Sequence, residues 1–268
     1  MVNATPQAIL NGMLPPINLS KATTPTLVVG RPHSLFYLAG VGGAAVAPTP
    51  GLAGAALTSY AGQVPFLNPG GGLECRLARL GINGGFAGTL ILADRLWHNS
   101  GLVLTSTAAQ TINSVAFPAR DNNATINGEG VLIGLEVSSP TGAGTPVLSM
   151  SYTNPDDTAG RTASGLITGV ASSVLGSFYP MGTASGDNGV KSVQSFTLSA
   201  TWTSGSASLV AYRELARLDY APGTPNPLDP LTGGFPLLHP NSVPFLIWVP
   251  TATNALTLSG SLNFTHLA

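Results

Sequence analysis

Charged side chains are scarce in this sequence. Only 21 of the 268 residues are Lys, Arg, Asp or Glu, which is 8% of the chain against roughly 25% in typical soluble domains. A folded monomer of this mass exposes about 11,000 Å², or about 500 Å² for each charge. The formal net charge of −1 offers no basic patch for DNA or RNA, which bind clustered Lys and Arg. The composition therefore indicates a surface that neighbouring subunits cover, and it predicts no direct nucleic-acid partner.

Cysteine is almost absent as well. The single residue Cys75 allows neither an internal disulfide nor a metal site built from several thiolates. It falls in phase with Leu73 and Leu77 in an alternating segment, which predicts a small buried core residue and not a nucleophile. The fold must therefore depend on its hydrophobic residues, which make up 44% of the chain.

Patterns of long helices and of membrane spans are also missing. The 33 Gly and 22 Pro residues make up about a fifth of the chain, which disfavours helices and suits strands joined by turns. The apolar stretch from Phe36 to Leu57 is broken repeatedly by Gly and Pro, so it predicts neither a transmembrane helix nor a signal peptide. We therefore expect no membrane partner.

Catalytic motifs do not occur in recognisable form. The segment from Gly182 to Gly186 places its serine one position too late for a nucleophile elbow, and the four histidines are isolated, unlike zinc ligands. Asp94 and His98 would lie about 13 Å apart along one strand, too far for a direct hydrogen bond. We expect Asp94 and Arg95 to end a strand, with their charges directed to water or to a neighbouring chain. The sequence therefore predicts a protein that is not an enzyme and binds no cofactor.

Two acidic segments offer oxygen atoms that a calcium ion could use. They are Asp156 with Asp157, and residues 121–129. Neither follows the regular spacing of a calcium-binding loop, and the Asn127-Gly128 pair is a strong turn signal. We expect turns held by Asp side chains and no metal site.

The sequence does contain a two-residue hydrophobic period from about residue 63 onward. The apolar run 88–94 is typical of a strand buried on both faces. Residues 194–202 and 207–216 predict a β-hairpin, since they alternate and flank a Ser-Gly-Ser turn. Similar patterns predict further strands at 73–77, 101–106, 110–117, 130–137, 146–153, 244–250 and 256–266. The predicted fold class is all-β, an antiparallel β-sandwich of jelly-roll type, with a closed barrel as the alternative.

The chain divides by pattern into an arm and a domain. Residues 1–60 alternate short apolar pieces with Pro, Gly and Ala and show no period, whereas residues 61–268 form the predicted β-sandwich domain with a long Pro-rich loop at 221–243. The arm is too apolar for a solvated linker, so we expect it to extend over another surface, with a mobile terminus as the alternative.

The predicted interface combines apolar residues of the arm with two residues near the end of a predicted strand. Eight of the ten basic residues are Arg, whose planar fork suits ordered interface pairs; codon bias is the alternative explanation. The interface residues are Ile9, Leu10, Met13, Leu14, Ile17, Leu35, Phe36, Arg95 and Trp97.

Three segments resemble structural proteins from the virions of tailed bacteriophages. They are residues 94–101 (DRLWHNSG), 105–120 (TSTAAQTINSVAFPAR) and 192–205 (SVQSFTLSATWTSG). The resemblance extends in character over about residues 70–265. It implies a decoration or cement protein that sits on a shell of major capsid protein and forms a homotrimer. The long charged helix of the major capsid protein itself is not found in this sequence.

The resemblance also implies a location and a mechanical role. Such a protein is made in the host cytoplasm, binds the capsid surface and stabilises the shell without turnover. A receptor-binding or glycan-binding virion module is the main alternative, with its ligand site on the loop from Tyr220 to Pro244. A polysaccharide depolymerase is a third possibility, and it requires two carboxylates at glycosidase spacing.

Overall fold

The protein is built almost entirely of antiparallel strands. The computed structural model describes residues 5–224 and 226–268, and these form one short helix, α1 (Pro6–Asn11), and fifteen strands in three sheets. Within this part of the chain, no helix is long and apolar enough to cross a membrane. The predicted all-β, antiparallel class is confirmed, while the jelly-roll connectivity stays a prediction.

The strands are numbered in chain order and belong to a middle sheet and two outer sheets. The first sheet has the order β1 (Ile17–Lys21), β15 (Leu258–Leu267), β4 (Glu74–Gly84), β13 (Leu237–Leu238). The middle sheet has the order β10 (Phe178–Pro180), β7 (Val131–Ser139), β12 (Ser206–Tyr220), β5 (Gly88–His98), β14 (Pro244–Pro250), β2 (His33–Ser34), and β3 (Ala55–Ala56) also pairs with β5. The third sheet has the order β6 (Gln110–Thr111), β11 (Ser192–Leu198), β8 (Leu148–Thr153), β9 (Arg161–Ser164).

The two edge strands of the middle sheet meet. The amide of Ser34 donates to the carbonyl of Gly176 at 2.7 Å, and the amide of Phe178 donates to the carbonyl of Pro32 at 3.0 Å. These bonds join the end of β2 to the start of β10, so the middle sheet closes on itself and has an inside and an outside. The closed-barrel alternative therefore describes the middle sheet, and the sandwich describes how the outer sheets pack on it.

Strand alternation separates the interior of the barrel from two outer cores. On β14, Phe245 and Ile247 belong to one cluster while Leu246 and Trp248 belong to another. The first cluster draws residues from β5, β10, β12 and β14, as expected for a closed interior. Its buried members are Phe36, Tyr37, Ile91, Ala93, Phe178, Val210, Tyr212, Phe245 and Ile247. The outer cores lie under the first sheet, around Trp248, and under the third sheet, around Trp202.

Most of the predicted arm belongs to the chain's own sheets. Strand β1 pairs with β15 from Ile17 opposite Leu262 to Lys21 opposite Leu258, and β2 closes the barrel. Five apolar residues of this segment are buried in the chain: Leu19, Leu27, Leu35, Phe36 and Leu57. The expectation that residues 1–60 lie on another subunit is therefore wrong for residues 17–57. Their lack of a period reflects a segment that changes neighbours every few residues.

Lys21 shows how tightly the N-terminal segment is held. Its side chain is buried, and its Nζ donates to the carbonyls of Leu38 at 3.2 Å and Gly43 at 3.1 Å. Burial lowers the pKa of Lys21 to about 8. The cation therefore ties the turn at residues 38–43 to β1 instead of facing solvent.

The predicted hairpin between 194–202 and 207–216 is wrong. Strand β11 pairs with β6 and β8, whereas β12 pairs with β5 and β7. The connection carries Trp202, which is fully buried under the third sheet and whose Nε1 donates to the carbonyl of Val170 at 2.9 Å. The buried Trp202 therefore fixes the connection by which the backbone passes from β11 in the third sheet to β12 in the middle sheet.

Other predicted strands are confirmed, shortened or absent. The runs at 88–94, 130–137, 146–153, 244–250 and 256–266 correspond to β5, β7, β8, β14 and β15. Segment 110–117 forms only the two residues of β6, and 101–106 forms a turn. The described part of the loop 221–243 is anchored by β13 and by a bridge between Leu80 and Leu228.

Two truncations test the role of the N-terminal segment. Deletion of residues 1–60 is expected to abolish cooperative unfolding, because it removes the strand that closes the barrel and five buried apolar side chains. Deletion of residues 1–12 removes only α1 and the residues next to it, and is expected to preserve a cooperative thermal transition by circular dichroism. A sharp transition in the longer truncation would contradict the assignment of residues 17–57 to the chain's own core.

Candidate functional site

Four of the predicted interface residues are buried inside the chain. Leu35 and Trp97 have no exposed surface, Phe36 is 1% exposed and Arg95 has none. Leu35 packs in the core under the first sheet, and Phe36 in the barrel interior. Trp97 donates from Nε1 to the carbonyl of Ala53 at 3.0 Å. The prediction that these four residues contact a partner is therefore wrong.

Arg95 forms an ion pair inside the closed barrel. Its Nη2 lies 2.7 Å from Oε2 of Glu136, and both side chains are completely buried. The hydroxyl of Tyr37 donates to the same carboxylate oxygen at 3.0 Å, and Nε of Arg95 donates to Nδ1 of His98 at 3.3 Å. The guanidinium carbon also lies 4.4 Å from the ring centroid of Phe36. We call these five residues the barrel cluster.

The charges of the barrel cluster fix the protonation of its neighbours. Burial and the positive charge of Arg95 lower the pKa of His98 to about 3, so its Nδ1 is free to accept the hydrogen bond. Burial and the nearby Glu136 raise the pKa of Tyr37 above its usual range, so its hydroxyl keeps the proton that it donates. Arg95 and Glu136 have no exposed surface, so in this structure the pair is closed to solvent and links β5 to β7.

A second buried ion pair lies next to the first in sequence. Nε of Arg120 is 3.0 Å from Oδ2 of Asp94, and Asp94 also accepts from the hydroxyl of Ser242 at 2.9 Å and the amide of Val243 at 2.7 Å. The expectation that Asp94 and Arg95 reach water or a neighbouring chain is therefore wrong. Each of these charged groups has an oppositely charged partner inside the chain, as a buried charge requires, although Nη1 of Arg95 and Oε1 of Glu136 form no hydrogen bond among the described residues.

The acidic segment 121–129 forms a turn around one carboxylate. Asp121 accepts from the amides of Asn123, Thr125, Gly128 and Glu129. Burial opposes ionisation of Asp121, but a hydrogen bond from the hydroxyl of Thr125 at 2.6 Å, together with these amides, outweighs it and leaves the pKa below its usual value. Across residues 5–224 and 226–268, no three His, Cys, Asp or Glu side chains are grouped as metal ligands.

The other five predicted interface residues lie at or near the surface, beside apolar residues from a second segment. Leu10 is 65% and Leu67 63% exposed. A cleft of about 260 Å³ between the segments is lined by Leu14, Pro15, Ile17, Pro65, Phe66, Leu67 and Phe264. Helix α1, which carries Ile9 and Leu10, packs against β15 beside this cleft. We call Leu10, Met13, Leu14, Ile17, Phe66 and Leu67 the apolar face.

A second apolar cleft opens at one end of the barrel. It has a volume of about 300 Å³, and its lining includes Ile91, Leu132, Phe178, Tyr212 and Ile247. These residues come from five different strands, so no local sequence pattern could have revealed the cleft. Mouths of β-barrels are common sites for small apolar ligands.

The surface is poorer in charge than the composition alone indicates. Seven of the 21 charged side chains are buried: Lys21, Asp94, Arg95, Arg120, Asp121, Glu136 and Arg213. The remaining fourteen are distributed over 10,650 Å², about 760 Å² for each. A surface of this kind carries little electrostatic repulsion between copies.

Substitution of Glu136 tests the barrel ion pair. Glu136→Gln keeps the shape but leaves the guanidinium of Arg95 buried without its countercharge, which is expected to cost about 3–5 kcal/mol of unfolding free energy. The matched control is Glu214→Gln, since Glu214 pairs with the 60% exposed side chain of Arg217 at 2.8 Å. The control is expected to cost about 0–1 kcal/mol. Equal losses in chemical denaturation would contradict the buried pair.

The pH dependence of stability tests the state of His98. The unfolded imidazole has its usual pKa of 6.5, whereas the folded one has a pKa of about 3. Protons therefore favour the unfolded chain, and stability is complete above pH 6.5 and falls as the pH approaches 3. His98→Gln is expected to flatten the decline between pH 6 and 4.5 by up to about 1.4 kcal/mol per pH unit. Parallel stability curves for the two proteins would show that folding does not shift the pKa of His98.

The chain was compared with protein families, curated proteins and solved structures. No protein-family model matches the chain, and no curated protein or solved structure matches it. The function is therefore inferred from the burial, charge and surface of the chain itself.

Proposed function

We propose that the protein is a non-enzymatic structural component of a tailed-bacteriophage virion, which binds and stabilises the capsid shell as a decoration protein. The observation that carries the proposal is the scarcity of surface charge, about 760 Å² for each charged side chain. A free monomer depends on surface charge to stay soluble and apart from other copies, whereas a subunit whose surface is covered by neighbours needs few surface charges. The three segments that resemble virion proteins support the same proposal.

The apolar face supplies the contact in this proposal. Single exposed apolar residues are ordinary, but contiguous ones mark interaction sites. Leu14, Ile17, Phe66 and Leu67 share one cleft, and two exposed side chains precede Leu14 in the chain: Leu10 on α1, and Met13 just after it. Complete burial of a fully exposed side chain of this size stabilises a complex by about 1.5–3 kcal/mol, and Leu14, Ile17 and Phe66 contribute less because they are already half-buried. The proposed partners are the major capsid protein and two further copies of this chain in a trimer at the capsid surface.

The fold suits a mechanical role. The middle sheet is closed and packed on the outside by two further sheets, and its interior holds a fully buried ion pair. A rigid subunit that binds only the assembled shell stabilises that shell by mass action, with no chemical step. Bound across the joints between capsid subunits, it would oppose their separation.

A ligand-binding virion module is the second candidate. It is favoured by the cleft at the barrel mouth, where Tyr212 is 3% exposed and lines the cleft. In that case the barrel would hold a small ligand or part of a receptor.

A triple substitution tests the apolar face. Leu10→Ser, Met13→Ser and Leu67→Ser together are expected to weaken cosedimentation with undecorated capsids at least 100-fold, because three apolar side chains no longer become buried. The melting temperature should change little, since all three are exposed. Leu231→Ser is the matched control, because Leu231 is 95% exposed and lies outside the face.

Two results would argue against the proposal. Undiminished binding by the triple variant would exclude the apolar face as the contact. A wild-type chain that is monomeric by light scattering and does not bind capsids would remove the assembly role altogether.

A further inference from the structure

A polar cleft lies where the barrel closes, outside the apolar face and the barrel mouth. It has a volume of about 260 Å³ and is formed by residues 26–28, 31–33, 170–172, Val174 and Ser177. The segment 31–33 leads into β2, and Ser177 precedes β10, so the cleft sits over the seam of the closed sheet. The fold itself therefore holds its two walls together.

Two polar side chains of this cleft, Arg31 and His33, each carry a buried nitrogen that has no hydrogen-bond partner among the described residues. His33 is only 2% exposed, and its Nε2 is buried without a hydrogen bond. Nε of Arg31 is likewise buried without a hydrogen bond, and among the described residues no carboxylate forms a salt bridge with Arg31. Buried polar groups in native proteins are almost always satisfied, by protein, water or a ligand. Two unsatisfied groups that line one cleft point to a bound molecule.

The cleft carries one positive charge, which Arg31 supplies. Burial lowers the pKa of His33 to about 4, although the nearby Glu136 opposes this shift, so the imidazole is neutral near pH 7. Glu136 is itself paired with Arg95. An anion therefore gains the guanidinium of Arg31 without meeting a free carboxylate, and Arg binds carboxylates through two parallel hydrogen bonds.

The remaining wall of the cleft is apolar. Leu27, Val28, Val170 and Val174 line it beside the polar groups. An inorganic anion would leave these side chains uncovered, whereas a carboxylate with a short aliphatic chain would contact both walls. We propose that this cleft binds a short aliphatic carboxylate, with its head group on Arg31 and His33 and its chain on the valines. Hydroxyls of Ser172 and Ser177 line the same cleft and can donate to the second carboxylate oxygen.

Titration with butyrate tests the site on the full-length chain. Butyrate is expected to bind saturably with a dissociation constant in about the millimolar range, as suits a ligand of few atoms. Butyramide has the same shape without the charge and is expected to bind at least tenfold more weakly, and acetate lacks the chain and should also bind more weakly. Isothermal calorimetry and amide chemical shifts of residues 26–33 and 170–177 provide the measurements.

Two variants locate the binding. Arg31→Gln is expected to weaken butyrate binding at least tenfold, since the charged hydrogen bonds are lost. Arg79→Gln is the matched control, because Arg79 is exposed and also lacks a salt bridge among the described residues; it should bind as the wild type does. A thermal melt confirms that each variant is folded.

Three outcomes would overturn the assignment. Butyramide binding as well as butyrate would show that the charge plays no part. Unchanged affinity in Arg31→Gln, or shifts spread over the whole chain, would place the ligand elsewhere. Absence of saturation would mean that water alone occupies the cleft. None of these results bears on capsid binding, which depends on a different face.

Discussion

Two backbone hydrogen bonds, from Ser34 to Gly176 and from Phe178 to Pro32, turn the middle sheet from an open layer into a barrel. Without them, residues such as Phe245 and Ile247 would need another layer to cover them. With them, Phe36 and Tyr37 follow β2 directly into the interior and complete the barrel cluster. The N-terminal segment thus supplies one strand of the barrel wall and two side chains of the barrel interior. These contacts fix its position although its sequence has no hydrophobic period.

The two buried ion pairs also specify how β5 sits in the barrel. Asp94 and Arg95 are adjacent, so strand alternation directs them to opposite faces: Asp94 meets Arg120, and Arg95 meets Glu136. A shift of β5 by one residue would exchange the faces and bring like charges together on both. Buried ion pairs add little net stability but can select one arrangement over its alternatives. Here they distinguish the native register from its nearest competitor.

Local patterns in the sequence predicted the all-β class and most of the long strands, because the continuous apolar runs of β5 and β14 and the alternation along β15 are properties of neighbouring residues. Local patterns did not predict which strands pair or to which sheet each strand belongs. Anchoring of Trp202 separates β11 from β12 although the turn between them resembles that of a hairpin. Arg95 and Trp97 look like surface residues beside Asn and Ser, and only their distant partners, Glu136 and the carbonyl of Ala53, show that they are buried. The sequence did not reveal the three clefts for the same reason, since each gathers residues from separated segments.

Because a third of the charged side chains are buried, few remain on the protein surface. The fourteen that remain are spread over 10,650 Å², so charge repulsion between copies is weak over most of that area, and hydroxyl groups provide polar surface there. A shallow depression on the third sheet is lined largely by such groups, namely Ser149, Ser151, Thr162, Ser164, Thr183, Ser195 and Thr197. Hydroxyls hold water and so resist nonspecific sticking, yet they do not repel an identical surface as like charges do. In the proposed assembly role, a subunit packed beside many copies of itself would benefit from both properties, and the apolar face would provide the specific contact.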